Sequence, residues 1–460
     1  MHEDLNKLKG KKYDKKISII LFTTLGIIFT SCSEHQETKN ASQNNGNIEK
    51  EFELLSSEAE LNSLLTRGNE GIVDWELSKE IAQMQLDSFI EDGDYPETSE
   101  LWKFPIGIYN QNGEIRYYEF RVLNDGEVIA AITINAQESL GGPVAYAFSM
   151  KGYFDSLMEL YNNGALSENE IPRIIDNVYP NYAVGASQVT KSGSITFEKL
   201  LSPENGEEVQ ELNSIISTEE FISENPNVFT EEEKSEKLEE ISNYRQEMNE
   251  FWKAAKENKG NLGNMVFRGG SKKQRKAVDS AKIQAAINHC GEKIGWNKKS
   301  HSRPLGYGAC GATVSGFILD YFDANFENVP EWNNIELYEN RTKSLRKALS
   351  IPDGTDITWP WNLTGAVSKY SNYKIESCSF WPKASINNNI PGINLRALKF
   401  TSWDDLTGGF HYRNVVAYKE EGWWIFKWKY IKILDGNNCE DGWEAYNPFW
   451  HVSSYDVVKK

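Results

Sequence analysis

The sequence is short of the residues that build common cofactor and metal sites. It has five cysteines and six histidines in 460 residues, and none fall in the paired spacing of a zinc motif. No GxxxxGK[ST] phosphate loop and no GxSxG elbow occurs, so neither P-loop nucleotide chemistry nor a hydrolase-type serine has support. No metal and no organic cofactor is expected. Positive charge is also scarce: 49 Lys and Arg stand against 67 Asp and Glu, a net charge of −18. Phosphate binding relies on clustered cations, so nucleic acid is a poor candidate partner. No apolar run reaches the ~20 residues of a comfortable membrane-spanning helix. Glutamine, finally, is missing from the whole stretch after Gln284.

What remains is enough for a globular protein with appendages. A hydrophobic content of 39%, with 12% aromatic residues, can fill packed cores, and the length suits about three domains. The charge is unevenly spread. Residues 276–460 hold 22 Lys and Arg against 20 Asp and Glu, leaving 27 against 47 in the rest. An acidic N-terminal portion ahead of a near-neutral C-terminal one suits a detachable partner, and acidity is equally a generic solubility device.

Residues 1–31 read as an address. Lys7, Lys9, Lys11, Lys12, Lys15 and Lys16 precede an apolar core from Ile17 to Phe29, followed by Thr30-Ser31-Cys32. Basic flank, short apolar core and small residues before the cut are the plan of a signal peptide. Cys32 in this setting resembles the lipidated cysteine of bacterial lipoproteins, with Phe29 in place of the usual Leu. The resemblance implies an outer-membrane lipoprotein, surface-exposed or released, that meets the membrane only through its lipid anchor. Residues 32–52 are polar enough to be a disordered tether. Outside the cytoplasm disulfides are permitted, and Cys290, Cys378 and Cys439 are candidates whose pairing stays open.

The next segments read as α+β. Val73 to Asp92 carries Trp75, Leu77, Ile81, Met84, Leu86 and Phe89 at helical spacing. Alternating runs at 104–109, 114–123 and 127–136 are separated by Asn112-Gly113 and Asp125-Gly126, strong hairpin signals. A fourth strand is expected at 143–150 and helices near 152–163 and 168–179. Residues 201–262 are Glu-rich, with apolar residues spaced for short amphipathic helices in a connector. Residues 263–276 are glycine-bearing and basic, a chemistry where nicking concentrates. Arg268, Lys272 and Arg275 mark this region of expected activation cleavage. A helix is expected to start near Ala277.

The chemistry concentrates in residues 277–460. Cys310 follows a Gly/Tyr-rich loop and opens a helix whose apolar face is Val314, Phe317, Ile318 and Tyr321. At a helix N-terminus the dipole and the backbone N–H groups favour the thiolate. Cys290, at the far end of its helix, lacks that help, and Cys378 is most simply buried. His411 stands in Gly408-Gly409-Phe410-His411-Tyr412, opening a β-branched and aromatic run that reads as a strand. A second run, 430–434, ends in Asp435-Gly436, placing a carboxylate where a strand stops. A thiol, a base and a group that orients the base make an activated nucleophile. His451 is the rival base, and its bland reading is a packed residue of the last strand. The tryptophans of this region are mostly expected in the core.

These residues resemble the papain-like cysteine peptidases, especially compact bacterial types such as staphopain, streptopain and the double-glycine leader peptidases. The resemblance covers the last ~185 residues and implies a papain-like domain with Cys310 as nucleophile, His411 as base and Asp435 as its orienting acid. Where those families carry an oxyanion glutamine six residues before the cysteine, this chain has Pro304. Asn297, His301 and Tyr307 are then the candidate donors beside the Cys310 amide. By strand order and position, residues 53–200 are similar to the cystatin-like propeptide and inhibitor domains that accompany staphopain and streptopain. The expectation is a cysteine peptidase zymogen acting on proteins or peptides, with its own N-terminal domain as inhibitor. A transglutaminase-like amidase or acyltransferase, and a non-catalytic binding lipoprotein, are the alternatives.

Overall fold

Helix α1, Trp75–Glu91, begins where Asp74 accepts the amide of Glu76 and so caps the first turn. Its stripe of Trp75, Leu77, Ile81, Leu86 and Phe89 is buried. The helix rests on an antiparallel meander formed by β1 (Glu100–Leu101), β2 (Ile106–Tyr109), β3 (Ile115–Asn124), β4 (Glu127–Asn135) and β5 (Val144–Phe148). The hairpin between β3 and β4 turns on Asp125 and Gly126, at φ 52° and 81°. That geometry suits the right-handed strand twist and favours glycine at the second position. Gly126→Val should therefore cost about 1–2 kcal/mol; an unchanged urea midpoint would contradict this account of the turn.

The computed structural model describes residues 61–62, 71–148, 171–177, 182–189, 195–202, 206–209, 212, 214–263, 274–286, 310–322, 347–350, 362–378, 381–399, 409–423, 426–435 and 440–460. All of these belong to one compact unit, Glu49–Lys460. The signal, Cys32 and the tether lie outside them, as does the helix expected at 152–163. Among the described residues no helix is long and apolar enough to cross a membrane.

One expected helix is replaced by a strand. Residues 171–176 form β6 (Ile171–Asp176), which pairs in parallel with β2 and antiparallel with β7 (Tyr182–Val189). Ile174 and Ile175 are both buried there, and a β-branched pair buried on both faces is strand chemistry that outweighs local helical spacing. β8 (Ile195–Leu201) and the short β9 (Ser214–Ile215) follow. Residues 274–277 form strand β10 (Gln274–Ala277), paired with β13 below, and the helix expected near Ala277 follows it. Helix begins at 280, after Asp279 accepts the amides of Ala281 and Lys282.

The connector is more regular than its spacing implied. A short helix, α2 (Thr218–Glu224), leads to one helix of 27 residues, α3 (Glu231–Glu257), opened by a reciprocal capping box between Thr230 and Glu233. The remaining elements are α4 (Cys310–Phe322), α5 (Thr364–Tyr370), β11 (Tyr373–Cys378), α6 (Lys383–Asn387), β12 (Gly392–Lys399), β13 (Gly409–Trp423), β14 (Phe426–Asp435), β15 (Glu440–Ala445) and β16 (His451–Lys459).

The protein is thus mixed α+β, and its sheet is continuous. The order β11-β16-β12-β13-β14-β15-β5-β4-β3-β2-β6-β7-β8 carries the ladder from the C-terminal strands into the meander. The join is β15 against β5, with Gly442, Trp443 and Glu444 opposite Phe148, Ala147 and Tyr146.

Candidate active site

Cys310 is the first residue of α4, a helix with almost every residue buried. The thiol residue is 9% exposed and shares an apolar cluster with Val314, Ile318, Leu395, Tyr412 and Val452. The helix is seated on β13, where the Asn414 side-chain amide donates to the Val314 carbonyl at 3.4 Å. Burial, then the neighbouring Tyr455 and Cys310, push the Tyr412 hydroxyl well above its ordinary pKa. The opening of the helix therefore lies against the residue next to His411.

His411 pairs across the ladder with Arg396 of β12, and Asp435 is the last residue of β14. The β13–β14 register sets Asn414 opposite Leu434, and Asp435 follows Leu434 at the end of β14. His411 is three residues from Asn414, so His411 and Asp435 lie on adjacent strands. Asn297, His301, Tyr307, Cys32, Cys290, Cys439, Arg268 and Lys272 lie outside the described residues. Arg275 sits in β10 rather than in a loop.

Side chains alternate across a strand, and here the alternation has consequences. Tyr412 and Asn414 face α4, whereas Arg413 turns the other way, to Glu444 and to Asn394 Oδ1 at 2.8 Å. His411 shares the parity of Arg413.

That second face carries a polar cluster with no local signal in the sequence. Arg396, Arg413, Glu444 and His451 are each at most 3% exposed. Arg396 donates to the Tyr146 hydroxyl at 2.5 Å and lies 3.7 Å from Glu444. Burial alone would raise the Glu444 carboxyl, but Arg413, Arg396 and His451 hold it well below the usual carboxylate range. His451 Nδ1 accepts the Asn447 amide at 2.8 Å, so Nε2 carries the proton and donates to Glu444 at 3.0 Å. With both nitrogens engaged and no exposure, His451 is the packed residue of its strand.

Burial lowers the His451 pKa to about 4, helped by Arg413 and Arg396 and opposed by Glu444. The unfolded chain, titrating near ~6.5, then binds this proton more readily than the folded one. The neutral ring's contribution is complete above pH ~6.5 and shrinks as pH falls toward ~4, by up to about 3 kcal/mol. His451→Gln should flatten the stability profile across that window; a slope equal to the wild type would count against the assignment.

Cys378 is a thiol rather than half of a disulfide. Burial and the Asp456 charge push its pKa up, which leaves it unreactive. It borders a cleft of about 580 Å³ between α3 and the strands, lined also by Glu240, Tyr244, Trp428 and Tyr446. Trp381, Trp428, Trp443 and Trp450 are buried. Among the described residues no group of three or more His, Cys, Asp or Glu could hold a metal ion.

No protein-family model matches the chain, and no curated protein matches it significantly.

Proposed function

We propose that the chain is a secreted or surface-anchored cysteine peptidase of papain-like type, with Cys310, His411 and Asp435 as its triad. What supports the reading is the seating of the α4 opening, Cys310, against Tyr412 on β13, one residue from His411, with Asp435 at the end of the adjacent strand β14. His411 would take the thiol proton, Cys310 would attack the peptide carbonyl, and backbone amides at the helix start would hold the oxyanion. The protonated imidazole would pass its proton to the leaving amine, and water would release the acyl group. Lipidation at Cys32, a cystatin-like role for the meander and cleavage before β10 belong to the same proposal.

The full chain incubated with casein tests it. Release of peptides supports peptidase action, and incorporation of an added amine in place of hydrolysis would instead assign a transglutaminase-type acyltransferase. A second reading, a binding protein that keeps the fold without the activity, is favoured by the parity of β13, which sets His411 with Arg413 on the face turned from α4. Absence of any acyl transfer from a folded chain would select it.

A further inference from the structure

We infer that the N-terminal meander is a permanent half of the folded protein, which stays bound to the C-terminal half after any cut between α3 and β10. The inference stands apart from the peptidase proposal, except that it changes what activation by cleavage could mean.

Three features meet at the seam. The first is backbone: among the described residues β15 pairs on its outer side with β5 alone, and their pairing carries the ladder across. Without it both strands would present open edges, a recognised aggregation hazard. The second is a shared core. Ala417, Trp428, Tyr430, Trp443 and Ala445 from β13–β15 belong to one apolar cluster with Phe89 of α1, Ile132 of β4 and Trp252 of α3. Each half alone would lay these aromatic faces open to water, and contiguous exposed apolar patches mark interfaces or aggregation sites.

The third feature is charge, and it is complementary. Lys419 of β13, fully buried, reaches Asp92 at 2.6 Å, Ser88 at 3.0 Å and Glu421, while its ammonium lies 4.3 Å from the centre of the Phe89 ring. Ser88 in turn donates to Glu421 at 2.8 Å, and Tyr430 donates to Gln85 at 2.7 Å. Arg275 of β10 takes Asp94 with both terminal nitrogens, at 2.8 and 2.6 Å. The acidic end of α1 thus receives the cations of β10 and β13. Separation would take Asp92 and Ser88 away from Lys419 and leave it Glu421 of its own strand.

Helix α3, although it precedes the basic segment, reinforces the join from the meander side. Trp252 donates to the Gly141 carbonyl at 2.8 Å, Gly142 donates to the Tyr244 hydroxyl at 2.8 Å, and Tyr446 donates to Glu240 at 3.1 Å.

The experiment places a site-specific protease sequence between Gly269 and Gly270 of the full chain, cuts it, and measures mass during native gel filtration. The expected result is one species with the mass of the uncut protein, which parts into two only in denaturant. Two separate native peaks, or precipitation on cutting, would overturn the inference. In the cut protein, Arg275→Ala is expected to lower the urea concentration at which the fragments part; Arg275 is partly exposed, so the uncut variant should fold. Parting at the wild-type urea concentration would contradict the role given to that ion pair. None of these readouts depends on activity at Cys310.

Discussion

Cys310→Ala is expected to abolish casein hydrolysis, with a loss of about 1000-fold or more, because no other group in the proposed triad can form the acyl intermediate. His411→Ala should be nearly as severe. Asp435→Asn should be milder and expressed mainly in kcat, since an orienting group acts through the base. Effects of residues that act as a unit do not add, so the Cys310→Ala/His411→Ala double variant should be no worse than Cys310→Ala alone. Alanine replaces a thiol seated among Val314, Ile318 and Tyr412 without inserting bulk, so the thermal midpoint should move little. Residual hydrolysis close to wild type in folded Cys310→Ala would remove the thiol from the mechanism.

The largest stability effect is expected at Glu444. Its carboxylate serves Arg413, Arg396 and His451 in a region closed to water. Glu444→Leu would leave two buried guanidinium groups with no carboxylate from β15, and removing one partner of a buried pair costs about 3–5 kcal/mol. Adding Arg413→Met should recover part of that loss, because replacing both members of a buried pair with apolar groups can be close to neutral. Urea denaturation of the single and double variants measures both numbers. A Glu444→Leu cost under about 1 kcal/mol would show that the guanidinium groups find other partners.

Local signals carried the meander. Asp125-Gly126 marked a hairpin, alternation marked the strands on either side of it, and the apolar stripe from Trp75 to Phe89 marked α1, all within a residue or two of the observed ends. Those features are decided by neighbours in sequence, where turn chemistry and periodicity act. Non-local features were illegible for the same reason. Nothing near Trp443 announces that β15 will pair with β5, and Arg396, Arg413 and Glu444 come from three strands, with Tyr146 reached from a fourth. Ile171, Ile174 and Ile175 are spaced as on a helix face, and only pairing with β2 and β7 makes 171–176 a strand.

The candidate site is divided in the same manner. A cysteine opening an apolar helix and a histidine in a strand could be read locally, and both elements are present. Which face of β13 carries His411 depends on the register with β12 and β14, which the sequence does not display.

The most direct test is therefore the rate of Cys310 alkylation by iodoacetamide as a function of pH, in the wild type and in His411→Ala. If thiol and imidazole meet, wild-type Cys310 is alkylated faster than the variant's at neutral and mildly acidic pH, because the imidazole takes its proton. Superimposable profiles, or a Cys310 inert at every pH in the folded protein, would contradict the account.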